Sequence, residues 1–276
     1  MRQEQGISAR TMGDISKVDL SIDPQLMAKA RRLMVREVTR EQAKSWIKGR
    51  AKERWERAVV GKLGKWLGLP VVAIGAGGVI LADGSPAFYN IQVGFIGKGN
   101  TVVNGTEYTK LRTLKSGIQS IHEQPPFSTT LFVGGRHHDR DEVDERVHSG
   151  WGAFLRKSGG DEFPQFWAIE QGRVAAVSLR GYFPSEQRGL ILLFDAHDQT
   201  GCVLPKEFPK DYREVVSDVE PKPGFAGLYS ATLKKNLTPT ERLALDHMYL
   251  TGANFAADVV LLVATLRTTM TGVGSR

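Results

Sequence analysis

The 276-residue sequence predicts an α+β fold in which helices predominate and the sheet is small. Three observations carry this reading. Residues 24–58 contain one glycine and no internal proline, with apolar side chains at helical spacing. Residues 66–82, WLGLPVVAIGAGGVILA, carry no charge at all. From residue 85 onward, short β-rich stretches alternate with turns and helical patterns.

In the first segment Leu26, Met27, Leu33, Met34, Val38, Trp46 and Ile47 mark one apolar face. A helix packed on its own protein explains that face at least as well as lipid contact. The charge-free run falls short of the roughly 20 apolar residues of a straight span. Pro70 interrupts it, and four glycines weaken it as an isolated helix. Lys62 and Lys65 stand at its entrance, where their amines could reach headgroups. A buried core helix, a marginal span and a re-entrant helix bent at Pro70 all remain open, and pattern alone favours the buried one. GAGG at 75–78 is no dinucleotide fingerprint, because Ile80 occupies the third glycine position.

AFYNIQVGFIG (87–97) and NTVVNGTEYTKLRTL (100–114) read as strands around Gly-Lys-Gly-Asn and Asn-Gly turns. STTLFVGG (128–135) and GLILLFD (189–195) read as buried strands. Residues 238–270 form one helix or two, opening with Thr238 as N-cap, Pro239 in the first turn and Glu241 three residues after the cap.

The net charge of +7 is unevenly placed. Residues 1–65 hold 16 Lys and Arg against 8 Asp and Glu, whereas the rest hold 21 against 22. Base-stacking aromatics are sparse in that basic quarter, with only Trp46 and Trp55, so nucleic acid is not an expected partner. A basic segment beside a membrane, facing anionic lipid on the cytoplasmic side, is the better reading. The single cysteine, Cys202, excludes an intrachain disulfide. Residues 1–25 show no secretory-signal pattern.

His137 and His138 have no partner at a zinc-ligand spacing, and neither a Gly-x-Ser-x-Gly elbow nor a phosphate-binding P-loop occurs. The stretch KSGGDEFPQFWA (157–168) is more informative. Asp161 and Glu162 adjoin each other between Gly159-Gly160 and Pro164, with Phe163, Phe166 and Trp167 close behind. Local sequence favours an acidic helix N-terminus, where free N–H groups stabilise negative charge. The functional alternative has one carboxylate attacking as a nucleophile while its neighbour holds a divalent cation. Lys110, Arg112, Arg156, Arg180, Lys234 and Lys235 are then candidates to balance a polyphosphate.

Several pieces fall in one order: Pro70 in the apolar run, SPAFY (85–89), KLRTL (110–114), FLRKSGGDEFPQF (154–166), VSLRG (177–181), KPGFAGL (222–228) and TPTERLALDHMYL (238–250). In this order, over roughly residues 55–270, the chain resembles the monotopic phosphoglycosyl transferases, a bacterial sugar transferase family. It departs from that family's motifs in four places. NIQV (90–93) replaces an Arg-Gln-x-Arg, Gly159-Gly160 replaces Ser-Leu, VSLRG lacks the usual prolines, and Lys234 stands where an Arg is usual.

The resemblance implies a membrane-associated helical catalytic domain with a small sheet, a re-entrant N-terminal membrane helix and amphipathic surface helices. It divides the chain into a basic cytosolic extension (1–54), a re-entrant helix broken at Pro70 (55–86) and a catalytic domain (87–276). Trp66, Pro70 and Ile80 would meet the bilayer. The implied reaction moves a phosphosugar from a UDP-linked donor to a polyprenyl phosphate through a covalent adduct on Asp161. Asp161 and Glu162 would hold Mg²⁺, and Lys110, Arg112, Arg156, Arg180 and Lys234 would position phosphates. The implied location is the cytoplasmic face of a bacterial membrane, and self-association is left open. The departures raise the alternative of a catalytically silent homologue that scaffolds an active transferase.

Overall fold

The computed structural model describes residues 22–113, 150–200, 208–232 and 237–271. The strand expected at 128–135 and the pair His137 and His138 lie outside the described residues.

The expected helix over 24–58 is three helices. Asp23 caps α1 (Pro24–Leu33) by accepting from the Gln25 and Leu26 amides. Thr39 opens α2 (Arg40–Ile47) with a capping box to Gln42, which starts a new helix where an uninterrupted one was expected. Gly49 precedes α3 (Arg50–Trp55). This runs through a π-helical turn (Glu56–Gly61) into α4 (Lys62–Asp83), so one helical rod spans Arg50–Ala82. Helical assignment continues across Pro70.

The two strands expected after residue 85 form a hairpin. Strand β1 (Phe88–Ile96) pairs antiparallel with β2 (Val102–Leu111), with Tyr89 opposite Lys110 and Ile91 opposite Tyr108. A register shift falls between Val93 and Phe95. The turn is made by Lys98–Asn100, while Asn104-Gly105 lies within β2 and makes no second turn.

Beyond the hairpin come α5 (Trp151–Ser158), a 3-10 turn (Gly160–Glu162) and α6 (Gln165–Glu170). Strand β3 (Ala175–Val177) pairs in parallel with β4 (Gly224–Ala226). Between them run α7 (Pro184–Thr200) and α8 (Phe208–Val219), and after β4 comes α9 (Leu228–Thr232). GLILLFD is therefore helix, not strand. It lies inside α7, where Leu190, Leu193, Phe194 and Ala196 are buried and Ile191 only partly so, a helical rather than alternating pattern.

The segment 238–270 is two helices, α10 (Pro239–Gly252) and α11 (Phe255–Thr271). The capping box of Thr238 and Glu241 forms as expected, and Asn254 begins the second helix by accepting from the Ala257 amide. The core gathers around Phe95, Ile169, Tyr182, Phe194, Tyr212, Leu243 and Tyr249.

The N-terminal helices are fastened to this body. Lys29 donates to the Thr232 carbonyl at 3.0 Å, while Arg40 pairs with Asp211 and Lys44 with Asp218 on α8. Deeper in, Lys52 bonds Glu56 (2.9 Å) and Asp258, whose carboxylate also takes the Trp46 indole N–H and the Tyr249 hydroxyl. This cluster grips both backbone groups of Val177: Lys52 Nζ donates to its carbonyl at 2.8 Å, and Glu56 Oε1 accepts its amide at 3.1 Å.

Outward, α4 is unusually bare. Trp66 is 69% exposed, Ile74 63% and Leu81 90%, and Pro70 and Ile80 are also exposed. The rod is long and apolar enough to cross a membrane, with only 22% of its most apolar window buried.

Candidate active site

The acid pair stands in the first turn of a helix, as local sequence suggested, but that helix is a single 3-10 turn. This turn lies between α5 and α6, with Gly159 at φ 65° ending α5 and Pro164 leading into α6. The left-handed conformation at Gly159 is what glycine supplies cheaply after a helix. Asp161 and Glu162 are half-buried on the turn.

The turn rests on α4. A Cβ at Gly64 would collide with the Phe166 ring and one at Gly68 with the Phe163 ring. Thus the glycines that weaken α4 as a free helix are the notches into which the aromatics after the acid pair fit. Trp151 at the start of α5 donates its indole N–H to the Gly75 carbonyl at 3.1 Å.

Lys110 reaches the turn from β2, and its Nζ lies 2.7 Å from Glu162 Oε1. Burial alone would raise the Glu162 pKa, but the charge and hydrogen bond of Lys110, helped by Arg180, hold it below the ordinary glutamate value. Burial likewise disfavours the Lys110 charge, and Glu162, Tyr108 and Asp161 more than reverse that, so its pKa is raised. Both partners therefore carry charge at neutral pH.

Arg180 lies just past β3. Its guanidinium stands 4.9 Å from the Tyr229 ring centre and 5.9 Å from that of Phe183, both ordinary cation–π distances. Its charge acts on Glu162 and Glu186 alike.

Behind it lies a network that residue-level reading did not single out. Arg242 pairs with Glu186 at 2.8 Å, donates to the Arg180 carbonyl at 3.2 Å and covers the Tyr182 ring at 3.8 Å. Asp246 accepts from the Tyr182 hydroxyl at 2.7 Å, and burial pushes its pKa up to about 6 despite Arg242 one turn away. The available signal was the Glu-Arg-x-x-x-Asp of the α10 motif, since residues four apart share a helix face.

The other expected residues divide. Arg112 is buried, its Nη2 donating to the Gly84 carbonyl at 2.6 Å, where it anchors the link from α4 to β1. Arg156 lies on α5, one helix before the acid pair. Lys234 and Lys235 lie outside the described residues. Among the described residues no group of three or more His, Cys, Asp or Glu side chains could hold a metal ion.

Glu162, held ionised by Lys110 with help from Arg180, stands beside Asp161 on a turn whose following aromatics pack on α4. A family model described as bacterial sugar transferase matches residues 50–272, and the chain belongs to that family. Members transfer sugar phosphates to a lipid carrier and are membrane-associated. Comparison with curated proteins finds no match.

Proposed function

We propose that the protein transfers a phosphosugar from a UDP-linked donor to a polyprenyl phosphate, in two half-reactions through Asp161. The observation that carries this is the acid pair itself, with Glu162 ion-paired to Lys110, resting through Phe163 and Phe166 on the exposed apolar helix α4. That combination suits a reaction between a water-soluble polyanion and a lipid phosphate. Lys62 and Lys65 precede the apolar stretch of α4, consistent with entry and exit on the cytoplasmic face.

In the first half-reaction an Asp161 oxygen attacks the sugar-bearing phosphorus, and the phosphorus–oxygen bond to the departing UMP breaks. In the second, the polyprenyl phosphate attacks that phosphorus and releases the carboxylate. Splitting the exchange avoids bringing two polyanions together. Lys110 holds Glu162 in place, and Arg180 offers its planar fork to phosphate oxygens.

Two protein carboxylates are too few for an all-protein cation cage but fit Mg²⁺, which takes its remaining oxygens from substrate phosphates and water. Lys110 uses one Glu162 oxygen, so the other, with Asp161, would hold the ion. Bound there, Mg²⁺ would neutralise diphosphate charge.

The test is purified protein in lipid nanodiscs with a panel of UDP-sugars and undecaprenyl phosphate, following UMP release and phosphosugar mass on the protein. Asp161→Asn should lose both signals, a fall of more than about 1,000-fold. Full turnover by Asp161→Asn would remove the nucleophile assignment. A wild-type protein that traps no phosphosugar from any donor would favour the silent scaffold.

A further inference from the structure

The face of the β1–β2 hairpin that meets the acid pair carries a tyrosine hydroxyl with no role so far. Strand alternation puts Tyr108 and Lys110 on one face and Thr109 on the other, where Thr109 donates to Asn90 Oδ1 at 2.9 Å. Lys110 leads to Glu162, 2.7 Å away. Tyr108 leads to Phe183, packed in one cluster with Ile91 and Val93, and the Phe183 ring lies 5.9 Å from the Arg180 guanidinium. Tyr108 therefore stands between the two cations that act on Glu162, and it feels the charges of Lys110, Glu162, Arg180 and Glu186.

Among the described residues, neither the Tyr108 hydroxyl nor the Arg180 guanidinium makes a hydrogen bond or ion pair. Both donors are open to an oxyanion, and each acts electrostatically on the other. Directly across the hairpin from Tyr108 is Ile91, which brings no polar side-chain group of its own.

We propose, building on the transfer reaction above, that Tyr108 is a further catalytic residue that donates its phenolic hydrogen to a non-bridging oxygen of the phosphoryl group being transferred. Arg180 binds the same group, so the hairpin supplies a neutral donor beside a cationic one. As the Asp161 oxygen bonds to phosphorus, the bond to the bridging oxygen breaks and its electron pair leaves on UMP. Tyr108 keeps its proton throughout. Burial pushes its phenol pKa up, which keeps it a donor at neutral pH.

Tyr108→Phe retains the packed ring and removes only the hydroxyl. It is expected to lower kcat for UMP release about 10–100-fold, the scale of one hydrogen bond to a charged group. The donor KM should move less than about 3-fold, because the bond strengthens as charge gathers on the phosphoryl oxygens. Accumulation of the Asp161 adduct, followed by mass, should slow by the same factor. Thr109→Val, a hydroxyl lost from the opposite face, should leave both rates unchanged. If wild type turns over and Tyr108→Phe matches it in kcat and adduct formation, Tyr108 loses its role while the transfer reading stands. If wild type releases no UMP from any donor, both fall.

Discussion

Asp246 lies within a ring of partners: Tyr182 and Tyr212 hydroxyls point to it, and Arg242 lies four residues before it. Burial nevertheless dominates, raising its pKa from 3.8 to about 6. An acid whose folded pKa exceeds its unfolded one holds protons more tightly when folded. Its stabilising contribution is present below about pH 4 and is lost as pH rises through about 6. Glu186, whose pKa is lowered by Arg242 and Arg180 against the effect of burial, has the opposite slope and must be subtracted. The difference in denaturation free energy between wild type and Asp246→Asn isolates the first effect. It should fall by roughly 3 kcal/mol between pH 4 and 6 and stay level above. A flat difference across that interval would mean that Asp246 titrates normally.

At the scale of elements, the contact between α4 and the acid-pair turn is the critical joint. Gly68→Ala places a methyl group against the Phe163 ring, two residues from Asp161, and the ring must shift to admit it. Transfer is expected to drop by about 10-fold or more, since a shift of one ångström near reacting atoms costs that order of rate. Gly77→Ala, on the same helix, meets nothing within 4 Å. It should leave turnover intact and raise stability by about 0.5–1 kcal/mol. Equal effects from the two would disprove the joint.

This joint also marks what the sequence could reveal. The hairpin, the α10 capping box and the acid pair were legible because turn residues, cap residues and adjacent charges act locally. The glycines of α4 were read only as helix weakness, since their purpose lies in rings about 100 residues away. The three-residue strands β3 and β4 escaped for the same reason: their pairing is non-local and too short to show a period. GLILLFD misled because a buried helix and a buried strand share an apolar run, and only the burial spacing in α7 separates them.

Across the whole molecule, residues 22–65 of the basic N-terminal quarter are integral to the fold. Lys52 is bonded to both Glu56 and Asp258, and it is only 3% exposed. Lys52→Met would leave two buried carboxylates without it, at a cost of about 3–5 kcal/mol. Thermal melting in detergent micelles should register this as a large drop in midpoint, and an unchanged midpoint would show the cluster to be dispensable. Because the same lysine grips Val177, three residues before Arg180, surviving folded enzyme should also bind donor more weakly.

The rod from Arg50 to Ala82 touches the candidate site's surroundings at two heights: near its start it clamps Val177, and further along it receives Phe163 and Phe166 in its notches. On the proposed seating, any tilt that a thicker or thinner bilayer imposes on that rod is delivered to arginine and carboxylates together. Reconstitution in lipids of graded acyl length should then give turnover with an optimum, making the enzyme's speed a readout of membrane thickness.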